Sequence, residues 1–346
     1  MSFKAVDILG ISMLIDYEEM FKQAGVEVEL VANPCPVKGA TEDEIIAAVG
    51  DADAVITQTT FQKFPRRVLA SLSNVKLIMS MAVGYDYLDV DAATELGILT
   101  ANVPDASTRE VADHAMGLIL ACTRRIVHLN EVVKRGGWRE MGDPYILGEI
   151  WPKLSVLEGQ TLGIIGLGRI GRALVPRAKG FGLRIVANDP YIEPGIFREF
   201  GVEQVNLDQV LAQSDIISLH VPLTSETKRL LGLEQLKKMK PTACLINTAR
   251  GAVVDHDALY TALTEGHIAM AAFDVTEPEP IPADSPLLKL DNYICTAHSA
   301  GLSPPAFAEL QRRPGMEIIR FAKGEWPVGL IDQRAIETYR KKWAES

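Results

Sequence analysis

Cysteine is scarce in this chain: four in 346 residues, Cys35, Cys122, Cys244 and Cys295. They lie far apart and form no CxxC pair, which argues against a zinc knuckle or a thioredoxin-type redox site. Their sparsity fits a reducing compartment. Positive charge is also short, with 35 Lys and Arg against 45 Asp and Glu and a formal net charge of −10. That balance argues against a general role on nucleic acid or on anionic membranes. It leaves room for an anionic substrate, because a local basic pocket can sit inside an acidic protein. Long apolar runs are missing as well. The longest helical one, around His114 to Thr123, is about half of what a membrane span needs. The N-terminal apolar run is broken by Asp7 and Asp16, with no small-residue cleavage site after it, so no signal peptide is expected. These absences together read as a cytoplasmic protein with neither a membrane nor a nucleic-acid partner.

What is present is an ordinary globular balance, 47% apolar and 23% charged, in a chain long enough for two domains. The first hundred residues alternate short apolar runs with amphipathic ones. Strands are expected at Ala5–Leu9, Val26–Val31, Ala54–Gln58, Lys76–Met81 and Ile98–Asn102. Helices are expected at Ser12–Ala24 and at Glu42–Val49, the latter opened by Thr41 and Glu44 as a capping box. One longer helix, Val111–Lys134, follows, and then an irregular arm, Trp138–Leu154, containing Gly142, Asp143, Pro144, Gly148 and Pro152. A second alternating block has expected strands at Thr161–Ile165, Arg184–Ala187, Ile216–Val221, Cys244–Thr248, Met270–Val275 and Tyr293–Thr296. The last stretch is helical, with interruptions expected at Pro304-Pro305 and Pro314-Gly315. Strand–helix alternation implies parallel sheets covered on both faces, so the fold class is α/β with two doubly wound sheets.

Gly166-Leu167-Gly168-Arg169-Ile170-Gly171 is the most specific motif. A bare GxGxxG is weak, but here an expected strand runs into it and an expected helix, Arg169–Gly180, runs out. Gly166 permits the tight turn, Gly168 lets the backbone approach a pyrophosphate, and Gly171 lets helix and strand pack closely. The helix N-terminus presents unpaired N–H groups and a partial positive charge to phosphate. Asp189 closes the next strand, where a carboxylate accepts hydrogen bonds from ribose hydroxyls and repels a 2′-phosphate, which selects NAD over NADP. His220 ends another strand before Pro222, where it either packs or faces the cofactor.

Three residues stand at or just beyond the C-terminal ends of apolar strands: Arg250, Glu279 and His298. Ligands of open α/β sheets bind at those ends. Each residue alone has a structural explanation, and only their joint placement after a nucleotide-binding turn points to chemistry. Hydride delivery to a ketone puts negative charge on its oxygen. Histidine is a suitable proton donor near neutral pH, a neighbouring carboxylate favours the imidazolium and fixes the ring, and arginine grips a substrate carboxylate in a bidentate fork.

The run Leu162-Gly163-Ile164-Ile165-Gly166-Leu167-Gly168-Arg169-Ile170-Gly171 resembles the cofactor signature of the D-isomer-specific 2-hydroxyacid dehydrogenases. So do Ser214-Asp215-Ile216-Ile217-Ser218-Leu219-His220-Val221-Pro222-Leu223-Thr224, Leu245-Ile246-Asn247-Thr248-Ala249-Arg250-Gly251 with Val254-Asp255, Asp274-Val275 with Glu279-Pro280, and Thr296-Ala297-His298. The resemblance runs from about Lys76 through Gly324. It implies catalytic Arg250 and His298, with Glu279 paired to His298. It also implies an NAD site formed by Gly166, Gly168, Arg169, Ile170, Gly171, Asp189, His220, Pro222, Thr227, Thr248, Ala249, Asp274 and His298, with Asp274 near the nicotinamide carboxamide. The substrate, a small 2-oxo or 2-hydroxy acid, would be bound by Ala82, Val83, Gly84, Arg250 and His298. No metal is implied. A Rossmann domain, residues 104–300, would be inserted into a flavodoxin-like substrate domain made of 1–103 and 301–346. A homodimer pairing through the cofactor domains is implied too, in which Trp138 or Trp151 either reaches the partner's site or packs at the interface.

Four departures bear on the substrate pocket: Ala297 where the family has proline, Ala82 where it has glycine, the proline–glycine pair in the last helix, and the arm Glu140–Leu154, longer than is usual in the family. A glutamate rather than glutamine at 279 sets formate oxidation aside. Phosphite oxidation and an NADH-sensing, corepressor-like binding protein stay open as alternatives. Little chain follows Asp332, so no appended regulatory domain is expected.

Overall fold

Every ladder between strands of the described residues is parallel. The computed structural model describes residues 3–138, 140 and 143–343. Gly142 of the expected arm and the last three residues lie outside these. The chain divides into two units, residues 1–107 with 303–346, and residues 108–302.

In the first unit, β1 (Phe3–Asp7), β2 (Val28–Ala32), β3 (Ala54–Thr57), β4 (Leu77–Ser80) and β5 (Leu99–Ala101) form a sheet in the order β2-β1-β3-β4-β5. This is the flavodoxin-like order. All residues of β3 and β4 are buried, which explains their continuous apolar sequence: both faces are covered. Val6, Val55 and Ile78 pack on one face, and Ala5, Ile56 and Met79 on the other. The Glu42–Val49 helix opens with the expected capping box, Thr41 N–H donating to Glu44 Oε2 at 2.8 Å and Glu44 N–H to Thr41 Oγ1 at 3.2 Å. The helix expected from Ser12 starts only at Tyr17, after the N-cap Asp16. The cause is Asp7. Its buried carboxylate accepts from the N–H groups of Leu9, Gly10 and Ser12 at 2.7–3.0 Å, so the chain first winds around that charge.

The expected break at Pro314-Gly315 is not there. One helix runs Pro304–Ala322, with Pro304 and Pro305 in its first turn, where proline is favoured, and Pro314 inside it. Gly315 explains the pair: a Cβ there would lie 2.5 Å from the ring of Tyr17, whose hydroxyl donates to Gln311 O at 2.5 Å. The helix thus carries its proline next to the point where it packs on Tyr17.

In the second unit, β6 (Thr161–Ile165), β7 (Arg184–Asn188), β8 (Glu203–Gln204), β9 (Ile216–Leu219), β10 (Cys244–Asn247), β11 (Met270–Phe273) and β12 (Tyr293–Cys295) form a sheet in the order β12-β11-β10-β9-β6-β7-β8. The chain leaves β6 toward one edge and returns on its other side at β9. This is the topological switch point, where such sheets bind ligands at their carboxyl ends. The short edge strand β8 has two exposed polar residues and so carried no apolar signal. The single helix expected over Val111–Lys134 is two, Thr108–Thr123 and Ile126–Lys134. Between them Arg125 takes a left-handed φ of 53°, Thr123 Oγ1 donates to Ile119 O at 2.8 Å, and Ser155 N–H takes the Thr123 carbonyl at 3.1 Å. In the arm, a π-helical turn at Ile146–Ile150 runs into a 3-10 turn at Trp151–Lys153. No helix among the described residues is long and apolar enough to cross a membrane.

Candidate active site

The glycine turn leaves β6 at Gly166, whose φ is 95°. A Cβ there would lie 2.6 Å from His220 O, and one at Gly171 would lie 2.3 Å from Gly166 O. Both glycines are therefore demanded by the protein's own packing. Gly168 is not: a Cβ there would meet nothing within 4 Å. It is also the N-cap of the Arg169–Gly180 helix, and no side chain caps that helix. Arg169 is exposed and Ile170 half-buried in the first turn. The result is a row of backbone N–H groups with open space in front of them, the form an anion site takes at a helix N-terminus. Asp189, next to the end of β7, touches the same turn. Its Oδ2 accepts Leu167 N–H at 2.8 Å and its Oδ1 accepts Tyr191 N–H at 3.0 Å.

Just beyond β9, His220 has its Nε2 2.9 Å from Oγ of Ser218, a residue of that strand. Burial pushes the imidazole pKa down to about 4, so the ring is neutral. Its Nδ1 is buried with no hydrogen-bond partner among the described residues, and so is Thr248 Oγ1 beyond the adjacent β10. Buried polar atoms are rarely left so. Two of them at neighbouring strand ends, beside an open glycine turn, fit a dinucleotide with many polar groups. Thr227 instead uses its hydroxyl within its own loop, donating to Pro222 O at 2.6 Å.

Arg250 is set by two residues that sequence reasoning gave no role. Buried Asn247 accepts from Ala249 N–H at 3.0 Å and donates to Arg250 O at 2.9 Å, pinning the turn after β10. Gly251 lies so close to the next loop that a Cβ would sit 2.1 Å from the Thr276 backbone. The only available signal was an amide closing an otherwise apolar strand and a glycine after an arginine. That contact brings the Arg250 turn against the loop leading to Glu279. Glu279 Oε1 lies 2.5 Å from His298 Nδ1, and Thr276 N–H approaches Glu279 Oε2 at 3.5 Å. Burial alone would raise the Glu279 pKa. The hydrogen bond and charge of His298, the Thr276 N–H and the charge of Arg250 outweigh it and hold the carboxyl below its usual range. His298 itself has φ 51°, rare for a residue other than glycine. Arg250, Glu279 and His298 thus converge at the carboxyl ends of β10, β11 and β12.

The Asp274 carboxylate is buried and accepts from Thr296 Oγ1 at 2.5 Å, Ser299 N–H at 2.9 Å and Ala300 N–H at 2.8 Å. Ala82, Val83 and Gly84 belong to the first unit, just past β4. There Val103 N–H donates to Ala82 O at 2.9 Å and Asn102 Nδ2 to Val83 O at 2.6 Å. Trp138 and Trp151 are exposed.

Residues 116–300 match the family model described as D-isomer specific 2-hydroxyacid dehydrogenase, NAD binding domain. The chain is 42% identical over 294 residues to a glyoxylate reductase of Korarchaeum cryptofilum, covering 85% of this chain and 86% of that protein. It is 43% identical over 295 residues to a D-3-phosphoglycerate dehydrogenase of Methanocaldococcus jannaschii, covering 85% of this chain but only 54% of that longer protein. Among solved structures, a glyoxylate reductase from Paecilomyes thermophila superposes with a TM-score of 0.83 at 28% identity, over 96% of this chain and 99% of that one. With the open glycine turn, the acidic residue beside it and the matched segment all in one unit, the chain belongs to the D-isomer-specific 2-hydroxyacid dehydrogenase family and is an NAD-dependent oxidoreductase acting on CH–OH donors.

Proposed function

We propose that the protein reduces a small 2-oxo acid of the glyoxylate or hydroxypyruvate class to the D-2-hydroxy acid, with His298 as proton donor. The observation that carries this reading is the His298–Glu279 pair, 2.5 Å apart, beside the Arg250 turn. The substrate class follows the glyoxylate reductases among the relatives.

The glycine turn of residues 166–171 holds the pyrophosphate on backbone N–H groups, and Asp189 takes the ribose hydroxyls. His220 Nδ1 and Thr248 Oγ1 gain polar partners, while Pro222, Thr227, Ala249 and Asp274 line the same site. NADH, when bound, supplies the hydride. Arg250 grips the substrate carboxylate and polarises the adjacent carbonyl. Ala82, Val83 and Gly84, in the first unit, are candidates for backbone contacts with a substrate. His298 Nε2–H gives its proton to the carbonyl oxygen as the carbon is reduced, and in the reverse direction takes it back. Glu279 accepts from Nδ1–H, which fixes the ring's orientation and leaves Nε2 to face the substrate.

The Ile126–Lys134 helix buries none of its residues. Ile126, Val127 and Val133 on it, with Trp138, Leu147, Trp151 and Val156 nearby in sequence, are exposed. This apolar surface supports a homodimer, and light scattering on the purified chain tests it, a monomer at micromolar concentration counting against it.

NADH consumption with glyoxylate, hydroxypyruvate, phosphohydroxypyruvate and bulky 2-oxo acids, with chiral analysis of each product, tests the activity. Fast turnover of the small acids to the D-product is expected. Turnover confined to bulky or phosphorylated acids, or an L-product, would overturn this assignment.

A further inference from the structure

His114 reads from sequence as one more residue of a long helix. Its surroundings say otherwise. It projects from the Thr108–Thr123 helix toward the carboxyl end of β12, where its Nε2 lies 3.1 Å from Thr296 Oγ1. Thr296 Oγ1 in turn donates to Asp274 Oδ1 at 2.5 Å. The His114 ring is 3.6 Å from that same carboxylate oxygen, too far for a direct hydrogen bond. The hydroxyl must therefore act as the relay. Because Thr296 has one hydrogen and gives it to the carboxylate, its oxygen is left to accept, so His114 carries its hydrogen on Nε2.

Asp274 is the anchor of the turn that presents His298. Its side chain is 1% exposed. Besides Thr296 it accepts from Ser299 N–H and Ala300 N–H, and its own backbone oxygen accepts His298 N–H at 2.8 Å. These bonds hold His298 at its φ of 51°, a conformation that persists only where its surroundings impose it. The carboxylate's placement depends in part on the Thr296 hydroxyl, and the hydroxyl's rotation depends on His114.

We propose that His114 is a positioning residue for the proton-transfer imidazole, acting through Thr296 and Asp274 on the turn that carries His298. This rests on the reading of His298 as proton donor. The relay ties the turn to a helix that otherwise takes no part in the chemistry. Small losses of alignment at a reacting group are costly, about a hundredfold for a displacement of about 1 Å. Loosening one of several anchors should cost less.

The test uses the full chain and compares His114→Leu, His114→Gln, Thr296→Val and the Leu–Val double variant, with His298→Ala as reference. His114→Leu should lower kcat about tenfold while leaving the KM for NADH and the melting temperature unchanged. His114→Gln keeps an N–H donor at nearly the same reach and should recover most of the turnover. The double variant should be no slower than Thr296→Val alone, because both changes cut one chain. Unchanged kcat in His114→Leu, a glutamine variant as slow as the leucine one, or multiplying effects in the double variant would each overturn the proposal. If His298→Ala itself kept its turnover, the reading of His298 would fail instead. An inactive His298→Ala beside a fully active His114→Leu would sink only the positioning role.

Discussion

Replacing Glu279 by glutamine removes a charge and keeps the shape. The amide oxygen can still accept from His298 Nδ1–H, so the ring stays oriented while the imidazolium loses its counter-ion. With the pair in contact, the charge centres lie about 4 Å apart, worth about 1 kcal/mol in bulk water and about 4 kcal/mol at an effective dielectric constant of about 20. The two side chains are 46% and 37% exposed, which pulls the value toward the watery end. About 1.5–2 kcal/mol is reasonable, or roughly tenfold or a little more in a rate at about 1.4 kcal/mol per factor of ten. Reduction draws its proton from the imidazolium that Glu279 faces, so Glu279→Gln should lower kcat/KM for the 2-oxo acid by about that factor near neutral pH and leave NADH affinity unchanged. Glu279 has a sign of its own: its folded-state pKa is depressed, so the pair's stabilisation is present above the usual carboxylate range and lost as pH falls through the lowered value. Profiles of kcat/KM against pH for both proteins are the assay. The variant's deficit should be full above the usual carboxylate range and shrink as pH falls through the lowered Glu279 value; a deficit of the same size at every pH would refute the electrostatic reasoning and leave Glu279 as an orienting group alone.

Gly168→Ala places a methyl group where the protein itself has nothing within 4 Å. The variant should fold with an unchanged melting temperature yet bind NADH at least tenfold more weakly, as titration of NADH fluorescence would show, whereas unaltered affinity would mean that no phosphate approaches there. Asp189→Ala should raise the KM for NADH by about tenfold and narrow its advantage over NADPH, since it removes both a ribose acceptor and the charge that repels a 2′-phosphate. Gly315→Ala drives a Cβ to 2.5 Å from the Tyr17 ring. It should cost about 1–3 kcal/mol of stability by calorimetry, and a variant as stable as the parent would show that the helix can lift off Tyr17 freely.

Much of the fold was legible because its signals are local. The strand Thr161–Ile165, the Arg169–Gly180 helix after it and the Glu42–Val49 helix with its capping box fall where the sequence places them. Each is specified by neighbours within a few residues. The misreadings have long-range causes. Nothing around Ser12 announces that Asp7 will be buried and gather three backbone N–H groups. Nor does Pro314 announce that Gly315, beside it, lets the helix settle on a tyrosine almost three hundred residues away in sequence. The break at Arg125 depends on Ser155 taking the Thr123 carbonyl.

The site divides in the same way. Arg250, Glu279 and His298 were visible as charged or titratable residues after apolar strands. The residues that aim them were not. Asn247 and Gly251 shape the Arg250 turn, while Thr296 and His114 reach Asp274, through contacts between loops that periodicity does not encode.

The most direct measurement is turnover of the best small 2-oxo acid by His298→Asn, alongside NADH affinity by fluorescence titration. Loss of kcat by about two to four orders of magnitude with NADH binding intact is expected of a proton donor. Turnover near that of the parent protein, with the same pH dependence, would contradict the assignment of His298 and with it the proposed chemistry.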